Sequence, residues 1–144
     1  MIPVHFPPHD FKVKRLGGTE LLFDPFRKQW VVLTPEEWVR QNFLQWLVQT
    51  CQYPASLISI EREIMLGDVR KRFDIAIYNR NGKPWLLVEC KAMDIALGEA
   101  VLHQVLRYNQ ALVVSYLVIT NGSFTKGFQL LPKFTEVEAM PEFI

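Results

Sequence analysis

Two nearly unbroken apolar runs, Trp85–Cys90 and Leu112–Thr120, lie on either side of a segment patterned as a helix. A strand that is wet on one face alternates apolar and polar residues. A strand that is apolar throughout is covered on both faces and belongs in the middle of a sheet. The segment between the runs, Asp94–Asn109, carries Val101, Leu102, Val105 and Leu106 on one helical face. A strand–helix–strand crossover of this kind lays its second strand parallel to a core strand. The chain is therefore expected to be an α/β protein, with a mixed central sheet of about four strands flanked by helices.

The other elements follow from local signals. Thr34 is placed to cap a helix with Pro35 at its first position, and Glu37 completes a Thr-x-x-Glu capping box. Val39, Phe43, Trp46 and Leu47 then recur at helical spacing, and Tyr53-Pro54 ends the helix. Leu57–Ile64 and Phe73–Tyr78 read as strands, with Asn79–Gly82 as a hairpin turn into Trp85–Cys90. Before the helix, Phe11–Leu16, Glu20–Phe23 and Trp30–Leu33 form an N-terminal β-hairpin extension around Gly17-Gly18. No linker or repeat interrupts the chain, so residues 1–144 are expected to be one domain. Within it, 1–33 is an N-terminal β elaboration, 34–122 the core, and 123–144 a loop-like tail with a short strand near Phe128–Leu131.

Composition narrows the function. Sixteen Lys+Arg against fifteen Asp+Glu give a net charge of +1, which excludes a broadly basic nucleic-acid coat but not a local basic patch. The two cysteines, Cys51 and Cys90, are isolated, which argues against a zinc site or a disulfide framework. No signal peptide is visible, and no apolar stretch is long enough to span a bilayer. A cytoplasmic protein with no membrane association is expected. Gly-x-x-x-x-Gly-Lys-Ser/Thr, Gly-x-Ser-x-Gly and Gly-x-Gly-x-x-Gly are all absent, and none of the three histidines has metal-ligand spacing.

Three charged residues stand where a core strand should have none. Glu89 and Lys91, two apart, project from the same face at the end of the most apolar strand, with Cys90 facing away. A hairpin between Phe73 and Cys90 returns Asp74 beside Glu89. Magnesium takes oxygen ligands and keeps several waters, so Asp74, Glu89 and the Cys90 backbone carbonyl would suffice to hold it. Lys91 would then orient or deprotonate water, or stabilise developing charge. The same residues also fit a same-face ion pair at a sheet end. On the first helix, Glu36 falls near the middle of the apolar face, with Arg40 one turn on and Glu37 at the margin. Glu36 would reach the metal or its waters, or else pair with Arg40; Glu37 is better placed for capping. Gln104 and Tyr108 sit one turn apart at the edge of the second helix's apolar face. Arg70, Lys71 and Arg72 run directly toward Asp74 and suit phosphate contact. Lys12, Lys14 and Arg15 are weaker candidates, and Phe26, Trp30 and Trp38 read as packing residues rather than base-stacking ones.

In this order, the helix Glu, Asp74, Glu89-Cys90-Lys91 and Gln104-x-x-x-Tyr108 resemble the PD-(D/E)xK nuclease superfamily. More narrowly, the chain resembles the N-terminal nuclease domain of type I restriction enzyme R subunits. The resemblance rests on Leu33–Gln41, Arg72–Ile75, Leu87–Ala92, Gln104–Asn109 and Thr120-Asn121-Gly122. It implies a restriction-endonuclease-like core and Mg²⁺-dependent cleavage of DNA, with Mn²⁺ as a substitute ion. It assigns metal binding to Asp74 and Glu89, catalysis to Lys91, and auxiliary roles to Gln104 and Tyr108. It favours Glu36 over Glu37, because the family's Glu precedes an Arg by four. No helicase motor follows, so the expectation is a free-standing nuclease or a domain serving partner proteins that supply specificity. A homodimer is a further expectation, since cutting both strands calls for two sites. The alternative is a nuclease-fold module that binds nucleic acid or protein without cutting.

Overall fold

The computed structural model describes residues 1–109 and 113–144, with the backbone alone at Val69 and Tyr108. Strands β1 (Val13–Leu16), β2 (Thr19–Asp24) and β3 (Gln29–Val32) precede helix α1 (Pro35–Gln49). After a 3-10 turn at Ala55–Leu57 come β4 (Ile58–Ile60), β5 (Glu63–Leu66), β6 (Val69–Arg72), β7 (Ile75–Tyr78) and β8 (Pro84–Cys90). Helix α2 (Glu99–Tyr108), β9 (Tyr116–Thr120), β10 (Thr125–Gln129) and β11 (Thr135–Val137) complete the order.

The central sheet has six strands in the order β11-β10-β9-β8-β7-β4. Strand β9 runs parallel to β8, as the crossover requires, and the other pairs are antiparallel. Leu86, Leu87 and Val88 on β8 have no exposed surface, which is what a nearly all-apolar central strand should show. One face of the sheet presents Ile75, Ile77, Leu86, Val88 and Val118 to Val39, Phe43 and Leu47 of α1. The other presents Ala76, Leu87, Leu117 and Ile119 toward α2. The result is a mixed sheet between two helices. Among the described residues no helix is long and apolar enough to cross a membrane.

Several expectations need correction. The sheet has six strands, not four, because the tail is not loop-like. Strand β10 pairs with β9, β11 pairs with β10, and Met140 and Phe143 pack on the α1-side core. The N-terminal extension is a three-stranded antiparallel meander, β1-β2-β3, rather than a hairpin. Leu57–Ile64 is not one strand. Glu61 takes the left-handed backbone region, φ 51°, which is uncommon for a non-glycine residue, and the chain turns there out of the main sheet. Strand β5 instead pairs with β6, so the basic run Arg70–Arg72 lies in its own two-stranded ribbon. Helix α2 lies within the expected Asp94–Asn109 segment and begins at Glu99, with Gly98 as its N-cap. The expected strand Leu112–Thr120 begins at Tyr116, and Leu112 lies outside the described residues.

Candidate active site

The site forms at the C-terminal end of β8, where side chains from both layers reach past the sheet. The antiparallel register pairs Ile75 with Val88, so one step on brings Asp74 opposite Glu89. Asp74 itself is outside the ladder. Its carboxylate replaces a ladder bond, with Oδ2 accepting from the Cys90 N–H at 2.8 Å. That bond fixes Asp74 against the strand end, and β7 begins at Ile75, two residues later than the apolar pattern suggests. Cys90 is buried on the α1 side, away from Glu89, as the alternation requires. The Lys91 N–H donates to the Thr120 carbonyl at 2.8 Å, holding the end of β8 onto β9.

The three carboxylates of the expected set meet here. Burial pushes Glu89 up to about 7, reinforced by the Asp74 charge and a hydrogen bond to it, while Lys91 and Lys71 pull the other way. Burial also raises Glu36, again reinforced by Asp74 through charge and hydrogen bonding, with Arg40 and Lys91 opposing. Asp74 thus sits between two carboxyl groups that share its field. Glu36 lies more than fifty residues before Glu89 and Lys91 in sequence, yet Lys91 acts electrostatically on both carboxyl groups. Gln104 is brought to the same place. It lines a cleft of about 270 Å³ with Glu89, Lys91, Val101, Val105 and Asn109. The Tyr108 side chain lies outside the described residues.

The basic run divides by strand alternation. Lys71 is half-buried and its Nζ donates to Asn109 Oδ1 at 3.0 Å, on the wall of the cleft. Desolvation lowers its pKa although Glu89 favours the charged form. Arg70 and Arg72 are exposed, and Arg70 lies 3.4 Å from Glu63.

Helix α1 corrects one expectation directly. Glu36 is not in the middle of the buried face, since its side chain is 47% exposed, whereas Glu37 is only 6% exposed. Thr34 Oγ1 accepts from the Glu37 N–H at 3.0 Å, so the cap forms. The Glu37 carboxylate does not return to the cap, because two arginines claim it. Its Oε1 accepts from Arg40 and from Arg27, each at 2.8 Å, and Oε2 accepts from Gln41 at 3.1 Å.

Sequence reasoning missed the network behind this. Arg40, 4% exposed, donates to Asp74 Oδ1 at 2.7 Å, Glu61 Oε1 at 2.9 Å and Glu37 Oε1 at 2.8 Å. Burial alone would lower its pKa, but Glu37, Asp74 and Glu61 outweigh it and raise it. Arg27, from the β2–β3 turn, ties Glu37 to the fully buried Asp24. One signal was available for Arg40. It lies beside Val39 and three residues before Phe43, inside the buried stripe, where an arginine requires anionic partners. Asp24 offered only a turn signal, and nothing local marked Arg27 or Glu61.

The donor set suits a hard divalent cation. Among the described residues, no group of three or more His, Cys, Asp or Glu side chains is arranged to hold a metal ion by itself. Two carboxylates completed by main-chain oxygen and water are what magnesium needs. Asp74 and Glu89 crowd each other enough to raise the proton affinity of Glu89, and a cation would relieve that crowding. Each carboxylate oxygen accepts more than one bond, so the contacts from Arg40 and the Cys90 N–H leave Asp74 able to ligate.

Among curated proteins, none matches the chain. A solved structure from Anabaena variabilis ATCC 29413, described as a "putative nuclease belonging to DUF820", is similar over 85% of this chain and 74% of its own, at 8% identity and a TM-score of 0.48. The family model for the type I restriction enzyme R protein N terminus matches residues 35–143, from the first residue of α1 to the penultimate residue. With the Asp74, Glu89-x-Lys91 and Gln104 arrangement already in place, that match makes the chain a member of the type I restriction enzyme R protein N-terminal family.

Proposed function

We propose that this protein is a Mg²⁺-dependent endonuclease that hydrolyses DNA phosphodiester bonds, of the restriction or DNA-processing type. The observation that carries the reading is the meeting of Asp74, Glu89 and Lys91 at one strand end, beside a cleft that Gln104 also lines. Membership of the restriction-enzyme R protein family supports it. Asp74 and Glu89 would hold the ion, with the Cys90 carbonyl as a third oxygen. A bound Mg²⁺ would supply Lewis-acid activation of water and of a phosphate oxygen.

The remaining chemistry belongs to the side chains. Lys91 orients the attacking water and stabilises charge that develops on the phosphate oxygens. Glu36, on the solvent side of Asp74, receives or relays a proton from that water. Arg40 fixes the orientation of Asp74 from beneath. Gln104 faces the substrate from α2, and Lys71 with Arg70 and Arg72 contacts flanking phosphates.

The competing reading is a module that binds nucleic acid or protein without cutting. It is favoured by Arg40 standing on Asp74 Oδ1, where a cation would otherwise be the chief positive charge. Incubating supercoiled, linear, branched and single-stranded DNA with Mg²⁺ or Mn²⁺ separates the two. Metal-dependent products that disappear in Asp74→Ala are expected, whereas binding without product would establish the competing reading.

A further inference from the structure

The N-terminal meander has two unlike faces. Its register pairs Lys14 with Leu21, Leu21 with Val32, and Phe23 with Trp30, while the Phe23 N–H donates to the Lys12 carbonyl. Lys12, Lys14, Leu21, Phe23, Trp30 and Val32 therefore share one face. The opposite face carries Leu22 and Asp24, both without exposed surface, so it is the side packed on the body. The outer face stays open, with Trp30 39% and Val32 54% exposed. Its two lysines lie over its two aromatic rings. Lys14 Nζ is 4.2 Å from the centroid of Trp30 and Lys12 Nζ is 5.9 Å from that of Phe23. The rings meet edge to face at 5.4 Å. Among the described residues of the meander no acidic side chain shares this face, because Glu20 and Asp24 lie on the other one.

We propose that this face is a platform for an unpaired stretch of the nucleic-acid substrate, with bases against Trp30 and Phe23 and phosphates on Lys12 and Lys14. The proposal rests on nucleic acid being the substrate, not on which bond is cut. A sheet face whose rings are covered only by lysine side chains, which can move off onto phosphates, is the chemistry that takes single strands, because stacking needs bases free of their partners. A second copy of the chain fits less well, since a two-fold contact through this face would set lysine against lysine. The platform is also close to the candidate site and fixed to it. Glu36 follows Val32 by four positions in the chain, a span of at most ~14 Å. Arg27, in the turn between β2 and β3, is bonded to Glu37, which in turn holds Arg40.

The test is fluorescence anisotropy of a labelled short oligothymidylate and a duplex of equal length, with the full chain in EDTA, at low and moderate salt. Trp30→Ala is expected to weaken single-strand binding roughly tenfold while leaving duplex binding unchanged. Trp30→Phe should bind like the unaltered protein, and Lys14→Gln should bind more weakly with a shallower salt dependence. Thermal melting of each variant confirms folding. The proposal is overturned if the unaltered chain does not bind the oligonucleotide, or if Trp30→Ala and Lys14→Gln bind as it does. It is also overturned if Trp30→Ala converts a dimer to a monomer, which would make the face an interface between copies. Because binding is read without metal, loss of the cleavage reading would leave a positive result standing. Intact cleavage with unaltered single-strand binding would remove the platform alone.

Discussion

Arg40 shows how a single side chain fixes a site. It is almost fully buried and answers to Asp74, Glu37 and Glu61, while its own Nε has no hydrogen-bond partner among the described residues. Replacing it with methionine keeps much of the volume but leaves Glu37 buried with its charge held by Arg27 alone. Breaking a buried ion network in this way costs ~3–5 kcal/mol. Urea unfolding of Arg40→Met should show a loss of that order, and a loss below about 1 kcal/mol would mean the network is not structurally required. Glu89 gives a prediction in pH. Its pKa is about 7 in the folded protein against 4.5 for the free side chain, so the folded state holds the proton more tightly. That favours folding fully below about 4.5 and is lost as pH rises through about 7. Allowing for its partial exposure, the contribution is ~2 kcal/mol. Stability measured at pH 5 and pH 8 should therefore fall more for the unaltered protein than for Glu89→Gln; equal changes would refute the assignment. The same proton must leave when a cation binds, so divalent-ion affinity by calorimetry should rise from pH 6 to pH 8 and do so less in Glu89→Gln.

At the scale of elements, α1 and β8 carry the site. Helix α1 starts where Thr34 caps it, and that cap sets where Glu36, Glu37 and Arg40 point. Thr34→Ala should cost ~1 kcal/mol in thermal or urea unfolding; no change would mean the fold positions the helix without its cap. The start of α1, the central place of β8 and the parallel pairing of β9 were legible because each rests on a local signal: a cap, an unbroken apolar run, a crossover. So was the convergence of Asp74, Glu89 and Lys91, since strand alternation and one hairpin suffice to derive it. The burial of Glu36 and Glu37 was not legible. The helical-face arithmetic weighs apolar neighbours, whereas Glu37 is drawn inward by Arg27 and Arg40, the former from a turn ten residues earlier. The break at Glu61 was hidden for a related reason. An apolar run such as Leu57–Ile64 says nothing about a single residue turning left-handed to place its carboxylate beside Arg40.

For the whole molecule, the two helices on opposite faces of the six-stranded sheet both reach the C-terminal end of β8, and that end is where chemistry gathers. The tail did not read as sheet because β10 and β11 are only five and three residues long, although each pairs with the strand just before it. Gly127 of β10 lies so close to Ile2 and Val137 that an added Cβ would stand 2.6 Å from Ile2 Cδ1. The chain's beginning and end thus close over the same edge of the core, with the Ile2 N–H bonded to the Thr125 carbonyl at 2.9 Å. The central claim is that Asp74 and Glu89 hold a cation for which Lys91 completes the catalytic set. Its most direct test measures Mn²⁺ uptake by calorimetry alongside plasmid cleavage in Mg²⁺, for the unaltered protein and Lys91→Ala. Both proteins are expected to take up the ion, with Lys91→Ala cutting more slowly by at least about a hundredfold. Absence of both uptake and product in the unaltered protein, or cleavage by Lys91→Ala at the full rate, would contradict it.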